Sequence, residues 1–219
     1  MLLFNTINDV QLHFATPVLH KCWPDADVRN RELKAVIEEK RRASPGVTIS
    51  NRGGWQLNDD LLHWQEPCIG AFARWIHSCV MHLYHTYYPG EFARYLEGIG
   101  GELAIRVTAW ANINARGHWN ILHNHPGRAW SGVYYVQAPA DSGKIELHDP
   151  RPNINMLGLK PPLELFDAVP RQIDPQPGLT LIFPSWLQHS VGTHESDDER
   201  ISIAFNVNPV LPAQSGGRA

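Results

Sequence analysis

Cysteine is scarce in this chain. Cys22, Cys68 and Cys79 are odd in number and form no C-x-x-C pair, which argues against both a disulfide framework and a thiolate zinc site. All three are expected to be reduced, mostly buried thiols. Long apolar runs are lacking as well: polar residues interrupt every hydrophobic stretch, and residues 1–14 do not set a basic segment ahead of an apolar one. The expectation is a soluble, cytoplasmic protein. Neither sign of charge dominates, since 19 Lys and Arg face 22 Asp and Glu for a net charge of -3 spread along the chain. Electrostatic capture of nucleic acid or of an anionic membrane is thereby set aside.

Histidine and tryptophan are plentiful, at 12 and 8 in 219 residues. With 43% hydrophobic residues the chain can bury a sizeable core, and its length suits one domain. Residues 27–42 predict a helix carrying Leu33, Val36 and Ile37 on one face, basic at its C-terminal end and stopped by Ser44-Pro45-Gly46. A second helix is predicted over 68–84, where Phe72, Trp75, Ile76, Cys79, Val80 and Leu83 recur at helical spacing behind Pro67. Residues 48–56 between them read as a loop anchored by Trp55.

The texture changes after Gly100-Gly101. Residues 103–114, 132–137, 144–148, 179–183 and 201–207 read as strands bounded by Gly, Pro, Asp or Asn, without helical pattern between them. Short strands in such a series predict a β-sandwich or jelly roll with the two helices packed on its outer face. The division expected is a helical support region over 1–100, a β core over 101–208 and a frayed tail over 209–219.

The sharpest local feature is His123-Asn124-His125. In extended backbone, residues i and i+2 point to one face and can grip one ion together. The bland reading is a pair of surface or capped histidines, so a third ligand is needed. His189 is the candidate, opening a short strand after the apolar run 179–183 and a Pro-Ser-Trp turn. Its bland reading is a core histidine bonded to backbone. In 200–206, alternation sends Arg200, Ser202, Ala204 and Asn206 to one face, and Ile201, Ile203 and Phe205 to the other. A guanidinium among apolar strand residues is costly unless it finds an anion. That anion is either a ligand carboxylate or an acid of the loop 195–199.

Taken in order, His123-x-His125, Ser131-Gly-Val-Tyr-Tyr135, Gly143-x-Ile-x-Leu leading to Asp149-Pro-Arg151, Phe183-Pro-Ser-Trp-x-x-His189 and Arg200-x-Ser202 resemble the iron(II)- and 2-oxoglutarate-dependent oxygenases. Within them the chain is similar to a bacterial group of oxygenases without an assigned substrate, distantly like prolyl hydroxylases. The resemblance implies a double-stranded β-helix, iron(II) and 2-oxoglutarate as cofactors, O2 as co-substrate and hydroxylation coupled to succinate formation. It implies iron ligation by His123 and His189, and a grip on the 2-oxoglutarate C5 carboxylate by Arg200, Ser202 and Tyr135. The departure is His125, where most of the superfamily has a carboxylate. Asp149 is the alternative ligand, with a turn cap or an Arg151 partner as its competing role.

Asn112, Asn114, Asn120, Trp130, Trp186 and Asn206 are candidate walls of a substrate pocket, as are Trp55 and Trp119, although Asn suits turns and Trp suits cores without any ligand. Two alternatives stand beside the oxygenase. Gly117 followed by five residues and His123-x-His125 also opens a cupin metal motif, but that motif's later glutamate is missing. The other is a non-enzymatic jelly-roll binding protein.

Overall fold

The structure is a computed structural model, and it describes residues 14–99, 101, 103–151 and 170–210. The expected tail beyond residue 210 lies outside the described residues. Two antiparallel sheets face each other. The major sheet has the order β1-β9-β6-β11-β4-β3, with β1 Leu19–Cys22, β9 Leu179–Pro184, β6 Trp130–Gln137, β11 Arg200–Pro209, β4 Ile105–Asn114 and β3 Trp55–Gln56. The minor sheet has the order β2-β5-β10-β7-β8, with β2 Asn51–Arg52, β5 Trp119–His123, β10 His189–Val191, β7 Ile145–Leu147 and β8 Arg171–Ile173.

Helices cover one face of the major sheet. Helix α1, Ala26–Ala43, buries Leu33 and Ile37 completely and places Lys40, Arg41 and Arg42 in its last turn, at the negative end of the helix dipole. Helix α2, Pro67–Tyr87, starts on Pro67, whose missing N–H would have been an orphan there anyway, and buries Ile69, Phe72, Ile76, Cys79, Val80 and Leu83. A third helix, α3 Pro89–Gly98, adds to the two expected. It was not legible because its apolar stripe is narrow: Phe92 is its buried residue, stacked on Tyr84 at 5.0 Å. Cys22 is exposed, whereas Cys68 and Cys79 are buried, and all three are free thiols. No helix among the described residues is long and apolar enough to cross a membrane.

The core divides across the major sheet. Ile182, Ile201, Ile203, Phe205 and Tyr134 join the helices' Leu33, Phe72 and Ile76 in one cluster. Tyr135, Ile145, Leu147, Leu181 and Phe183 form a second. Strand β11 runs between β6 and β4, so its non-helical face looks into the sandwich, and apart from Ala204 the residues there are polar. The segment 48–56, read as a loop, holds β2 and β3, one an edge of each sheet. Trp55 is its buried anchor, with its indole N–H donating to the Ser44 carbonyl at 2.9 Å.

Candidate active site

His123 ends β5 and His189 opens β10, and the two are direct cross-strand partners. Their rings lie 4.3 Å apart between centroids. His125 falls just past the end of β5, yet its backbone N–H donates to Ser185 at 2.9 Å and keeps the chain beside the β9–β10 turn. Its ring sits 5.3 Å from that of His123 and 5.2 Å from that of His189. One ring nitrogen from each of the three lies within 4.8 Å of the others.

Every one of these rings has its Nδ1 against an oxygen. His123 faces the Ile121 carbonyl at 2.7 Å, His189 the Leu187 carbonyl at 3.0 Å, and His125 the Asn206 side-chain oxygen at 2.6 Å. A carbonyl only accepts, so Nδ1 carries the proton and Nε2 keeps a free lone pair. Burial pushes all three imidazoles below their ordinary pKa, His189 to about 3, where the neighbouring His123, His125 and His148 press the same way. Three neutral, pre-oriented nitrogen donors on one centre fit a divalent transition metal. Asp149 does not join them, because Arg151 takes its carboxylate and holds its pKa down.

Arg200 shares the cavity with these rings. It is 2% exposed, and its Nη1 donates to the carbonyls of Ser142 at 2.6 Å and Gly143 at 3.1 Å. Its Nε is buried with no partner. Among the described residues no acid of the loop 195–199 forms an ion pair with it: Glu195 and Asp197 pair with Arg116, Glu199 pairs with Arg41, and Asp198 makes no ion pair with Arg200. Burial lowers the pKa of Arg200 from its high ordinary value, and Tyr135 beside it opposes that shift. Burial also drives the Tyr135 phenol up to about 12, so it is a protonated donor at neutral pH. Ser202 pairs across the sheet with Tyr135 on one side and Asn112 on the other.

The inner cavity has a volume of about 70 Å³ and is lined by the three histidines, Arg200, Ser202, Tyr135, Asn112, Asn114 and Asn120. An outer cleft of about 550 Å³ opens over His123 and His125, and Asn206 and Arg128 line it. Trp130 lines neither: it is buried against the helices, its indole N–H donating to Tyr84 at 3.0 Å. Trp186 is 49% exposed in the turn before β10, Trp119 is exposed, and Trp55 is core. The tryptophan that does face the site is Trp110, tilted 30° over His125 at 5.8 Å. It alternates with Asn112 and Asn114 along β4, a signal available in the sequence. Ser50 and Gln56 also line both spaces, and no spacing or motif in the sequence marks them.

A jelly roll with three converging imidazoles beside a buried, carboxylate-free guanidinium has the parts of a metal centre next to an anion pocket. Residues 108–206 match the family model described as "Putative 2OG-Fe(II) oxygenase". Over these residues the chain matches the 2-oxoglutarate- and iron(II)-dependent oxygenases, oxidoreductases with 2-oxoglutarate and O2 as co-substrates. No curated protein sequence matches it. Among solved structures, the fold is similar to a prolyl-4-hydroxylase from Pseudomonas putida, at a TM-score of 0.60 and 14% identity over 88% of this chain and 92% of that one. It is also similar to the collagen prolyl hydroxylase of Paramecium Bursaria Chlorella virus-1 in its 2OG complex, at 0.55 and 11% over 89% and 96%. HygX from Streptomyces hygroscopicus, with nickel and 2-oxoglutarate bound, follows at 0.54 and 13% over 90% and 84%. No finding favours a cupin-type enzyme or a passive binding protein.

Proposed function

We propose that this oxygenase hydroxylates a C–H bond of a small molecule or an amino-acid side chain, with His123, His125 and His189 holding iron(II) and Arg200, Tyr135 and Ser202 holding the C5 carboxylate of 2-oxoglutarate. The observation that carries the reading is Arg200: a buried guanidinium with an unpartnered Nε, in the same cavity as three neutral imidazoles. When bound, iron(II) and 2-oxoglutarate supply the oxidising chemistry, dividing O2 between succinate and the hydroxylated product and releasing CO2.

The chain's own residues prepare for that chemistry in three ways. The Ser142 and Gly143 carbonyls fix one end of the guanidinium, leaving Nε as a donor with an unmet need that a carboxylate satisfies. Tyr135 contributes a hydroxyl that stays protonated, so it donates to the same anion instead of repelling it. The imidazoles stay neutral and hold no proton on Nε2, so metal binding displaces nothing. A dianionic keto acid then balances a centre that carries no carboxylate of its own.

Size separates the two substrates. The smaller inner cavity, with Arg200 inside, suits the keto acid, and the larger cleft outside His123 and His125 suits the compound to be oxidised. Trp110 against His125 and Phe183 against His189 at 4.8 Å shield the imidazoles from water.

The test is anaerobic addition of iron(II) and 2-oxoglutarate to the purified protein. A weak visible charge-transfer band is expected, followed by succinate formation when oxygen is admitted. Iron bound without any band would overturn the proposal.

A further inference from the structure

A histidine in place of a carboxylate brings a difficulty that the carboxylate does not have. Either oxygen of a carboxylate can ligate, but an imidazole has two tautomers, and only the one with its proton on Nδ1 offers Nε2 to a metal. His123 and His189 solve this locally, each using the backbone carbonyl two residues earlier. His125 instead uses a side chain from 81 residues away, the Asn206 Oδ1 at 2.6 Å.

We infer that Asn206 is a positioning residue of the metal centre, selecting the tautomer and ring orientation of His125 that ligation requires. The inference rests on the reading of His125 as a ligand. Asn206 lies on the inward face of β11, paired across the sheet with Ser131 of β6. The Ser131 hydroxyl donates to the same Oδ1 at 2.8 Å. Two donors converging on one atom turn the amide with its oxygen inward. With the amide reversed, its NH2 would face Nδ1, the imidazole proton would move to Nε2, and His125 could not ligate. Among the three Nδ1 acceptors, Asn206 is the one that a side-chain substitution removes.

The experiment measures anaerobic cobalt(II) binding by titration calorimetry, with the visible spectrum of the bound ion as a second readout. Asn206→Leu keeps the approximate volume and removes the acceptor, and Asn206→Ala does the same with less risk of overpacking. Each is expected to weaken cobalt(II) affinity by about 10- to 100-fold and to alter the spectrum. Asn206→Asp, which only accepts, is expected to keep wild-type affinity to within a few fold. In a His125→Ala background the Asn206→Ala change is expected to cost nothing further, because the residue acts through His125.

Unchanged affinity in Asn206→Ala, or an equal loss persisting in the His125→Ala background, would overturn the inference. If His125→Ala itself binds cobalt(II) like the wild type, the three-histidine reading falls with it. A loss in His125→Ala without one in Asn206→Ala sinks the Asn206 role alone.

Discussion

Arg200 shows how much one side chain can report. Burying a guanidinium without a counter-charge is expensive, and here two backbone carbonyls offset only part of that cost. Under the proposed function, the remainder would be met by the 2-oxoglutarate carboxylate. Charge-assisted hydrogen bonds of this kind contribute about 1.5–3 kcal/mol, so Arg200→Ala is expected to weaken 2-oxoglutarate binding by roughly 10- to 100-fold. Iron(II) affinity in the absence of 2-oxoglutarate should be unchanged, since the guanidinium reaches no imidazole nitrogen; calorimetric titration of each partner separately checks this. Equal loss of both would remove Arg200 from its assigned role. The His-x-His spacing and the odd Arg among apolar strand residues were both visible in the sequence. The freedom of Arg200 was not, because it depends on Glu195, Asp197 and Glu199 being engaged by Arg116 and Arg41.

At the scale of elements, β11 carries two patterns at once. Ile201, Ile203 and Phe205 pack on the helices, while Arg200, Ser202 and Asn206 line the inner cavity or the outer cleft, so the strand that anchors the core also walls the candidate site. Its neighbour β6 repeats the device, sending Tyr134 to Asn30 of α1 at 2.6 Å and Tyr135 to the cavity. The two strands pair without interruption from Ser202–Tyr135 to Val207–Trp130, and the register shifts only beyond Tyr135, where Ile201 meets Gln137. Close strand approach at Gly132 is part of the arrangement, because a Cβ there would meet the Leu181 carbonyl oxygen and the Phe205 ring. Gly132→Ala is therefore expected to destabilise the fold by about 1–3 kcal/mol, read as a lower urea midpoint at unchanged slope. A midpoint equal to wild type would contradict the packing. Alternation made β11 and β6 legible, whereas α3, β1 and β8 carry too little apolar pattern to be read alone.

For the whole molecule, the buried histidine centre couples stability to pH. His189 titrates near 3 in the folded protein against 6.5 for an ordinary imidazole, and His123 and His125 are lowered in the same direction. Below pH 6.5 the unfolded chain takes up protons that the folded chain refuses, so stability is retained above that value and falls as pH drops towards 3. Metal-free protein is expected to lose thermal midpoint progressively between pH 7 and pH 5, a range in which the arginine-paired Asp149 and Asp197, with lowered pKa values, stay ionised. His189→Asn should flatten that profile; an unchanged decline would assign it elsewhere.

Sequence order by itself determined a good deal: a β-rich core behind two amphipathic helices, a candidate histidine triad and a polar face on the last strand. These are local properties, set by side-chain period and by the few residue types that bind metal or carry fixed charge. The tertiary structure alone decided that His123 and His189 are cross-strand partners, that Asn206 faces His125, and that Trp110 rather than Trp130 or Trp186 stands at the site. It also showed Asp149 occupied by Arg151. The physical reason is one of distance along the chain: pairing, occupancy and burial depend on residues tens of positions apart meeting in space, and no local periodicity encodes which of them will meet.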